Sequence, residues 1–167
     1  MAHRVAGFVT VALLCARSSV LGQFPPGHQG SSNVHLLAHI PLGANKTTSD
    51  IELEQELSRP YAYVDRRLVP SGFDIINLKE PSRAYVMYSW RIENPELHQG
   101  SGSLSPAYLK SHGRYYFFNG FQFGQSGPDN DLAAIVFDVT GLPDTSKVKE
   151  VARVRHIEHN EIGRAHV

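Results

Sequence analysis

The chain has 167 residues, a length that suits one domain, and its 41% hydrophobic and 19% charged residues are typical of a globular protein. Its 16 basic and 16 acidic residues balance, so the formal net charge is zero and gives no electrostatic argument for binding nucleic acid or an anionic membrane surface. Cys15 is the single cysteine, which excludes a disulfide bond within the chain.

The first 22 residues have the order of a secretory signal peptide. Residues 1–4 carry a basic side chain, residues 5–15 are mostly apolar, and Val20-Leu21-Gly22 offers acceptable residues for cleavage before Gln23. The apolar run is too short to cross a bilayer permanently, so we expect no stable membrane span after its removal. A buried N-terminal helix is the alternative interpretation, and a lipoprotein site at Cys15 is disfavoured by the large residue before it. The pattern predicts a periplasmic, cell-surface or secreted protein whose ligand or partner lies in that compartment.

Residues 23–32 are rich in Pro, Gly and Ser and are expected to form a flexible lead-in. Apolar and polar residues alternate over residues 33–42, which predicts a strand. His35 and His39 fall on one face of that strand, but their Cα atoms would be about 13 Å apart, too far to bind one metal ion. We therefore expect no metal site in this segment.

Acidic residues alternate with other residues over residues 50–57 (DIELEQEL), and a period of two predicts a strand with one acidic face. The residues that we expect to be buried are Ile51, Leu53 and Leu57. The residues that we expect on the opposite, wetter face are Glu52, Glu54 and Glu56. A short helix is the alternative, because Leu53 and Leu57 are four residues apart and Glu favours helices.

Two sets of four strands follow one another along the chain. We predict the first set at residues 51–57, 61–65, 73–78 and 83–91, and the second at residues 105–111, 114–119, 132–139 and 147–155. Short connections between them favour antiparallel pairing. The longer segments 93–104 and 120–131 are interpreted as insertions at strand ends.

A strand–turn–strand unit at residues 72–90 returns at residues 135–155. Phe73-Asp74 in the first copy aligns with Phe137-Asp138 in the second, a spacing of 64 residues. Four antiparallel strands repeated along a chain are typical of β-propeller blades, although this spacing exceeds the roughly 40–50 residues of common blades. The predicted fold class is therefore all-β, with four-stranded antiparallel blades of an incomplete β-propeller over residues 33–160.

The first set of strands is similar to a known repeat. Ala62-Tyr63-Val64, Ile75-Ile76 and the turn at Pro81 resemble the LVIVD-type repeat, and the resemblance covers about residues 33–155. It implies a β-propeller of secreted or cell-surface proteins whose activity is unassigned. Since propellers host unrelated chemistries, the resemblance implies a fold more than a function.

Both ends of the predicted propeller carry further expectations. Many propellers close with an N-terminal strand that completes the last blade, so residues 34–40 are expected to pair with a blade encoded beyond Asn160. Residues 161–167 (EIGRAHV) resemble a translated sequencing adapter and are expected to be an artefact tail.

Catalytic patterns are scarce in this sequence, which has no Gly-x-Ser-x-Gly elbow, P-loop or His-Glu-x-x-His motif. Residues 101–103 (SGS) are interpreted as a flexible loop, and residues 129–131 (DND) as a polar turn rather than part of a calcium loop. The aromatic run at residues 115–118 is expected to pack in the core. His98 is interpreted as a surface-loop residue that could also contact a ligand.

Two function classes remain open. The first is a binding or scaffold module for a protein, glycan or small molecule, and the second is part of a propeller enzyme with a metal or acid site in the central channel. The innermost strand of a propeller blade faces that channel, which makes the acids of residues 50–57 candidates. The predicted ligand-binding residues are Glu52, Glu54, Glu56 and His98. No catalytic residue, metal ligand or cofactor is assigned.

Overall fold

The computed structural model describes residues 30–31, 33–43, 48–123 and 131–155. The chain divides into two compact units with a boundary between Leu36 and Leu37. In the first unit, strands β1 (Gly30–Ser31) and β2 (Val34–His35) pair antiparallel. Within the described ranges, no helix is long and apolar enough to span a bilayer.

Two four-stranded antiparallel sheets lie in the second unit. The first sheet contains, in order across it, β3 (Thr48–Leu53), β4 (Tyr61–Arg66), β5 (Gly72–Asn77) and β6 (Tyr85–Arg91). The second contains β7 (Gly100–Ser111), β8 (Arg114–Phe123), β9 (Leu132–Asp138) and β10 (Lys149–Arg155). Short 3-10 turns at Pro81–Arg83 and Thr145–Lys147 precede β6 and β10. The predicted all-β class and the two sets of four antiparallel strands are confirmed.

The interior strands β4 and β9 have sequences that match their positions. YAYVDR and LAAIVFD are nearly continuous apolar runs, and almost all of their residues are buried. Each strand has a neighbour on both sides within its sheet. Such strands lack a clean apolar–polar alternation because both of their faces are covered.

An aromatic core fills the space between the two sheets. Tyr63 of β4 stacks on Phe117 of β8, with ring centroids 4.3 Å apart. Phe137 of β9 contacts Phe73 at 4.8 Å and Trp90 at 5.2 Å, both in edge-on geometry. The two sheets therefore pack face to face through rings that both sheets supply.

A smaller apolar cluster lies on the opposite face of the first sheet. Its buried members are Ala62, Val64 and Ile76. Ile40 and Leu42, which precede β3 in the chain, pack against these residues. The segment before β3 therefore covers a sheet face with side chains.

The predicted strand at residues 33–42 is wrong for most of its length. Only Val34–His35 is a strand, and it pairs with Gly30–Ser31. Residues 36–42 have no strand structure. Their apolar residues are explained by the cover that Ile40 and Leu42 provide, and Pro41 has no backbone N–H with which to join a ladder.

The second sheet begins earlier in the chain than predicted. β7 starts at Gly100, so residues 101–103 belong to a strand and the prediction of a flexible loop there is wrong. β8 continues to Phe123, into the segment interpreted as an insertion. The β7–β8 register shifts between Gly100 and Gly102 and again between Leu104 and Ala107. These irregularities disrupt the two-residue period, which is why the sequence pattern showed only residues 105–111 of this strand.

The two sheets repeat the position of their 3-10 turns. The turns at Pro81–Arg83 and Thr145–Lys147 lie 64 residues apart, as the alignment of Phe73 with Phe137 requires. Phe73 and Phe137 themselves contact each other across the two sheets. The alignment of the two strand–turn–strand units therefore stays a prediction.

We expect Gly102→Ala to destabilise the protein more than Gly113→Ala. Both glycines have left-handed backbone, with φ of +49° and +74° respectively, so the conformational cost of roughly 1 kcal/mol is shared. A Cβ on Gly102 would lie 2.2 Å from the Arg67 carbonyl oxygen, whereas a Cβ on Gly113 would meet nothing within 4 Å. The clash should add about 1–3 kcal/mol to the loss of unfolding free energy in urea. Equal losses in the two variants would contradict the close contact between β7 and the β4–β5 loop.

Candidate functional site

Polar side chains concentrate where β3, the first strand of the first sheet, comes close to β7, the first strand of the second sheet. β3 and β7 each lie at one end of their sheet, and β7 runs close to β3 and β4. Cross-strand pairing sets Glu52 opposite Tyr63, so both side chains lie on the face that meets the second sheet. We call this region the β3–β7 edge. Its polar members are Ser49, Asp50, Glu52, Asp65, Ser103 and Asn119.

Asp65 is the most unusual residue of the β3–β7 edge. Its side chain is fully buried, with 0% of the residue exposed. Neither carboxyl oxygen has a hydrogen-bond partner among the residues that the structure describes. Ser103 lies beside it, but the one hydroxyl hydrogen of Ser103 is donated to Asn119 Oδ1. An ionised carboxylate in this position would be desolvated without compensation.

The pKa of Asp65 is raised to about 8, chiefly by burial; the nearby Ser103 hydroxyl opposes this shift and the charge of Asp50 adds to it. The carboxyl group is therefore protonated at neutral pH. In that form its hydroxyl can donate to Ser103 Oγ, which donates onward to Asn119 Oδ1. Protonation thus completes a hydrogen-bond chain from the first sheet to the second.

Asp50 and Glu52 give the β3–β7 edge its charge. Asp50 is exposed, and its Oδ1 accepts a hydrogen bond from the Ile51 backbone N–H at 2.8 Å. Burial, followed by the negative charge of Asp50, raises the pKa of the partly buried Glu52. Neither carboxylate has a cationic partner within the described ranges. Among the described residues, nothing therefore compensates the negative charge of this part of β3.

Glu54, in contrast, is completely partnered. Its carboxylate receives two hydrogen bonds from Arg59, at 2.5 and 3.1 Å, and a third from the Tyr63 hydroxyl. Arg59 also donates to the Val139 carbonyl oxygen at 2.9 Å and lies 3.9 Å from the centre of the Tyr115 ring. This buried ion pair joins the two sheets and leaves Glu54 no free oxygen for a ligand.

Glu56 also contacts the second sheet. It accepts hydrogen bonds from Lys110 and, at 2.8 Å, from the Tyr115 hydroxyl. The hydrogen bond from Lys110 and then that from Tyr115 lower its pKa. Of the three glutamates predicted to bind a ligand, the structure therefore leaves only Glu52 unpaired.

The predicted faces of residues 50–57 are inverted. Ile51 and Leu53 are 54% and 46% exposed, and Leu57, beyond the end of β3, is fully exposed. Glu54 is buried instead. The alternation correctly separated acidic from apolar side chains, but the partners that allow an acid to be buried come from Arg59 and from the second sheet.

His98 does not join these residues, and its prediction as a surface-loop residue is wrong. It is only 3% exposed, and its ring lies 4.9 Å from that of Phe123. Nδ1 forms hydrogen bonds with the carbonyl oxygens of Glu93 and Asn94, at 2.7 and 3.1 Å. The side chain therefore packs between its own loop and the end of β8, where a free ligand would not reach it.

The other predictions about sites have mixed outcomes. In the aromatic run at 115–118, which was expected to pack in the core, Phe117 is fully buried, and the other three residues are half-buried. Two residues of the DND turn, at 129 and 130, lie outside the described residues, as do residues 1–29 and 156–167. Among the residues described, no three His, Cys, Asp or Glu side chains come close enough to hold a metal ion.

Asp65, Ser103 and Asn119 were not predicted from the sequence to be site residues. Only the position of Asp65 could have indicated a buried acid, because it directly follows the apolar run Tyr61-Ala62-Tyr63-Val64. Its unpaired state depends on Ser103 and Asn119, which lie in the other sheet and far along the chain. No family model, no curated protein and no solved structure matches this chain.

We expect the Asp65→Asn variant to lose a pH dependence of stability that the natural protein has. Because the folded-state pKa is raised, folding takes up a proton, and the stabilisation present at low pH is lost as pH rises from about 4 to about 8. Asn is neutral and nearly isosteric with Asp, so the unfolding free energy of the variant should fall less over this pH range than that of the natural protein. Urea unfolding at several pH values measures the difference.

Asp144→Asn is the control for this experiment. Asp144 is exposed, and its pKa is lowered by its hydrogen bond with Ser146 and then by Lys147, so the stability that it contributes is lost only as pH falls below about 4. Its substitution should therefore leave the pH profile between about pH 4 and 8 unchanged. Identical pH profiles for the natural protein and Asp65→Asn would contradict a protonated Asp65.

Proposed function

We propose that the two sheets are neighbouring blades of a propeller-type β protein that acts as a binding module outside the cytoplasm. The β3–β7 edge is its ligand-facing surface, and a basic peptide segment of a partner protein is its ligand. The proposed location follows from the signal-peptide pattern of the first 22 residues.

Two features support the assignment to propeller-type blades. Each sheet is a four-stranded antiparallel meander in chain order, as a blade is. The first strands, β3 and β7, approach each other, as the innermost strands of neighbouring blades do.

The choice of a basic ligand rests on one observation: two carboxylates on β3 have no cationic partner among the described residues. Glu54 and Glu56 are occupied by Arg59 and Lys110, but Asp50 and Glu52 have no cation among the described residues. Although Ser49 Oγ of β3 donates to the Ser103 carbonyl oxygen of β7, the side chain of Asp50 is exposed and that of Glu52 is half-buried, so a partner can reach both. Lysine and arginine side chains of a partner would supply the missing charge.

We expect a fluorescent lysine- and arginine-rich peptide to bind this protein more tightly at low than at moderate salt. In the double variant Asp50→Asn/Glu52→Gln, affinity measured by fluorescence anisotropy should fall about tenfold, since two exposed ion pairs are each worth up to ~1 kcal/mol. A double variant with the same loss of charge, Glu80→Gln/Glu96→Gln, should bind as the natural protein does. Equal effects in the two double variants, or no binding at low salt, would refute the assignment of this edge.

A further inference from the structure

A concave surface lies at the edge of the first sheet opposite β3, next to β6. It has a volume of about 360 Å³ and is lined by Asn77, Lys79, Glu80, Arg83 and Tyr85. Its residues end β5, form the following turn and begin β6, the last strand of the sheet. A volume of this size falls within the range of small-molecule sites, roughly 300–1,000 Å³.

The backbone of this pocket is held in place before any ligand arrives. The Arg83 N–H donates to the Glu80 carbonyl oxygen at 2.8 Å, and Pro81 restricts the first residue of the turn. The Lys79 N–H donates to Asn77 Oδ1 at 2.9 Å, which leaves the Asn77 amide nitrogen as a donor. Because the turn is ordered by its own hydrogen bonds, little conformational entropy would be lost on binding.

The charges of the pocket favour an anion. Lys79 has no acidic partner among the described residues, and Arg83 lies 3.7 Å from Glu80 in a pair whose side chains are both largely exposed. Such an exposed pair is weak and can exchange for a better partner. Two cations and one acid give the pocket a net positive charge in a protein whose formal net charge is zero.

Tyr85 narrows the class of ligand. It is 55% exposed at the start of β6, so its ring offers a flat apolar surface beside the charges. A sugar ring has an apolar C–H face that packs on an aromatic ring and hydroxyl groups that Asn77 and Glu80 can bind. A carboxylate on the sugar would meet Lys79 or Arg83.

We propose that this pocket binds an acidic sugar, with Tyr85 under the sugar ring and Lys79 and Arg83 at its carboxylate. The site is separate from the β3–β7 edge and takes a ligand of opposite charge. The proposal therefore stands or fails independently of the proposed function.

Titration of the isotope-labelled protein with glucuronic acid, followed by amide chemical shifts, tests the proposal directly. Shifts should concentrate at residues 77–85, and glucose should bind roughly tenfold more weakly because it lacks the carboxylate. Lys79→Gln should remove most of that preference, whereas Tyr85→Ala should weaken both sugars. Lys149→Gln, at an exposed position in β10, is the matched control and should change neither.

Inorganic sulfate separates a sugar site from a simple anion site. Sulfate should bind more weakly than glucuronic acid, and its affinity should be unchanged in Tyr85→Ala. The proposal is overturned by equal affinities for sulfate and glucuronic acid, by equal affinities for the two sugars, or by the absence of shifts at residues 77–85.

Discussion

The stack of Tyr63 on Phe117 is the contact on which the two sheets depend. Neither four-stranded sheet can bury its own inner face, so each needs the rings of the other. Aromatic pairs contribute roughly 0.5–1.5 kcal/mol beyond the area they bury, and Phe73, Trp90 and Phe137 extend the same layer. The Tyr63 hydroxyl also donates to Glu54, which forms the buried ion pair with Arg59, so the aromatic stack and the ion pair share the Tyr63 side chain and fix each other's position.

Two acidic residues at this junction show opposite ways of placing a carboxyl group inside a protein. Glu54 receives hydrogen bonds from Arg59 and Tyr63 and can remain charged in the interior. Asp65 has no cationic partner among the described residues and is accommodated by holding its proton. Asp50 and Glu52 at one end of the first sheet and Lys79 at the other have no ion-pair partner among the described residues.

The sequence was sufficient to locate the strands but not to predict which face of each strand is buried. Turn residues and apolar runs located the four strands of each sheet, because these signals are local. The burial of Glu54 was not predictable from its alternating segment, because it depends on Val139 and Tyr115 in the other sheet through Arg59. His98 was misplaced for a related reason, since its cover comes from Phe123.

A double-mutant cycle on Tyr63 and Phe117 tests the packing of the two sheets most directly. Tyr63→Leu, Phe117→Leu and the double variant would be unfolded in urea, and any effect of losing the Tyr63 hydroxyl cancels in the cycle. We expect a coupling of about 0.5–1.5 kcal/mol for this pair and none for the control pair Tyr63 and Phe123, whose rings are not in contact. Coupling near zero between Tyr63 and Phe117 would contradict the face-to-face arrangement of the sheets.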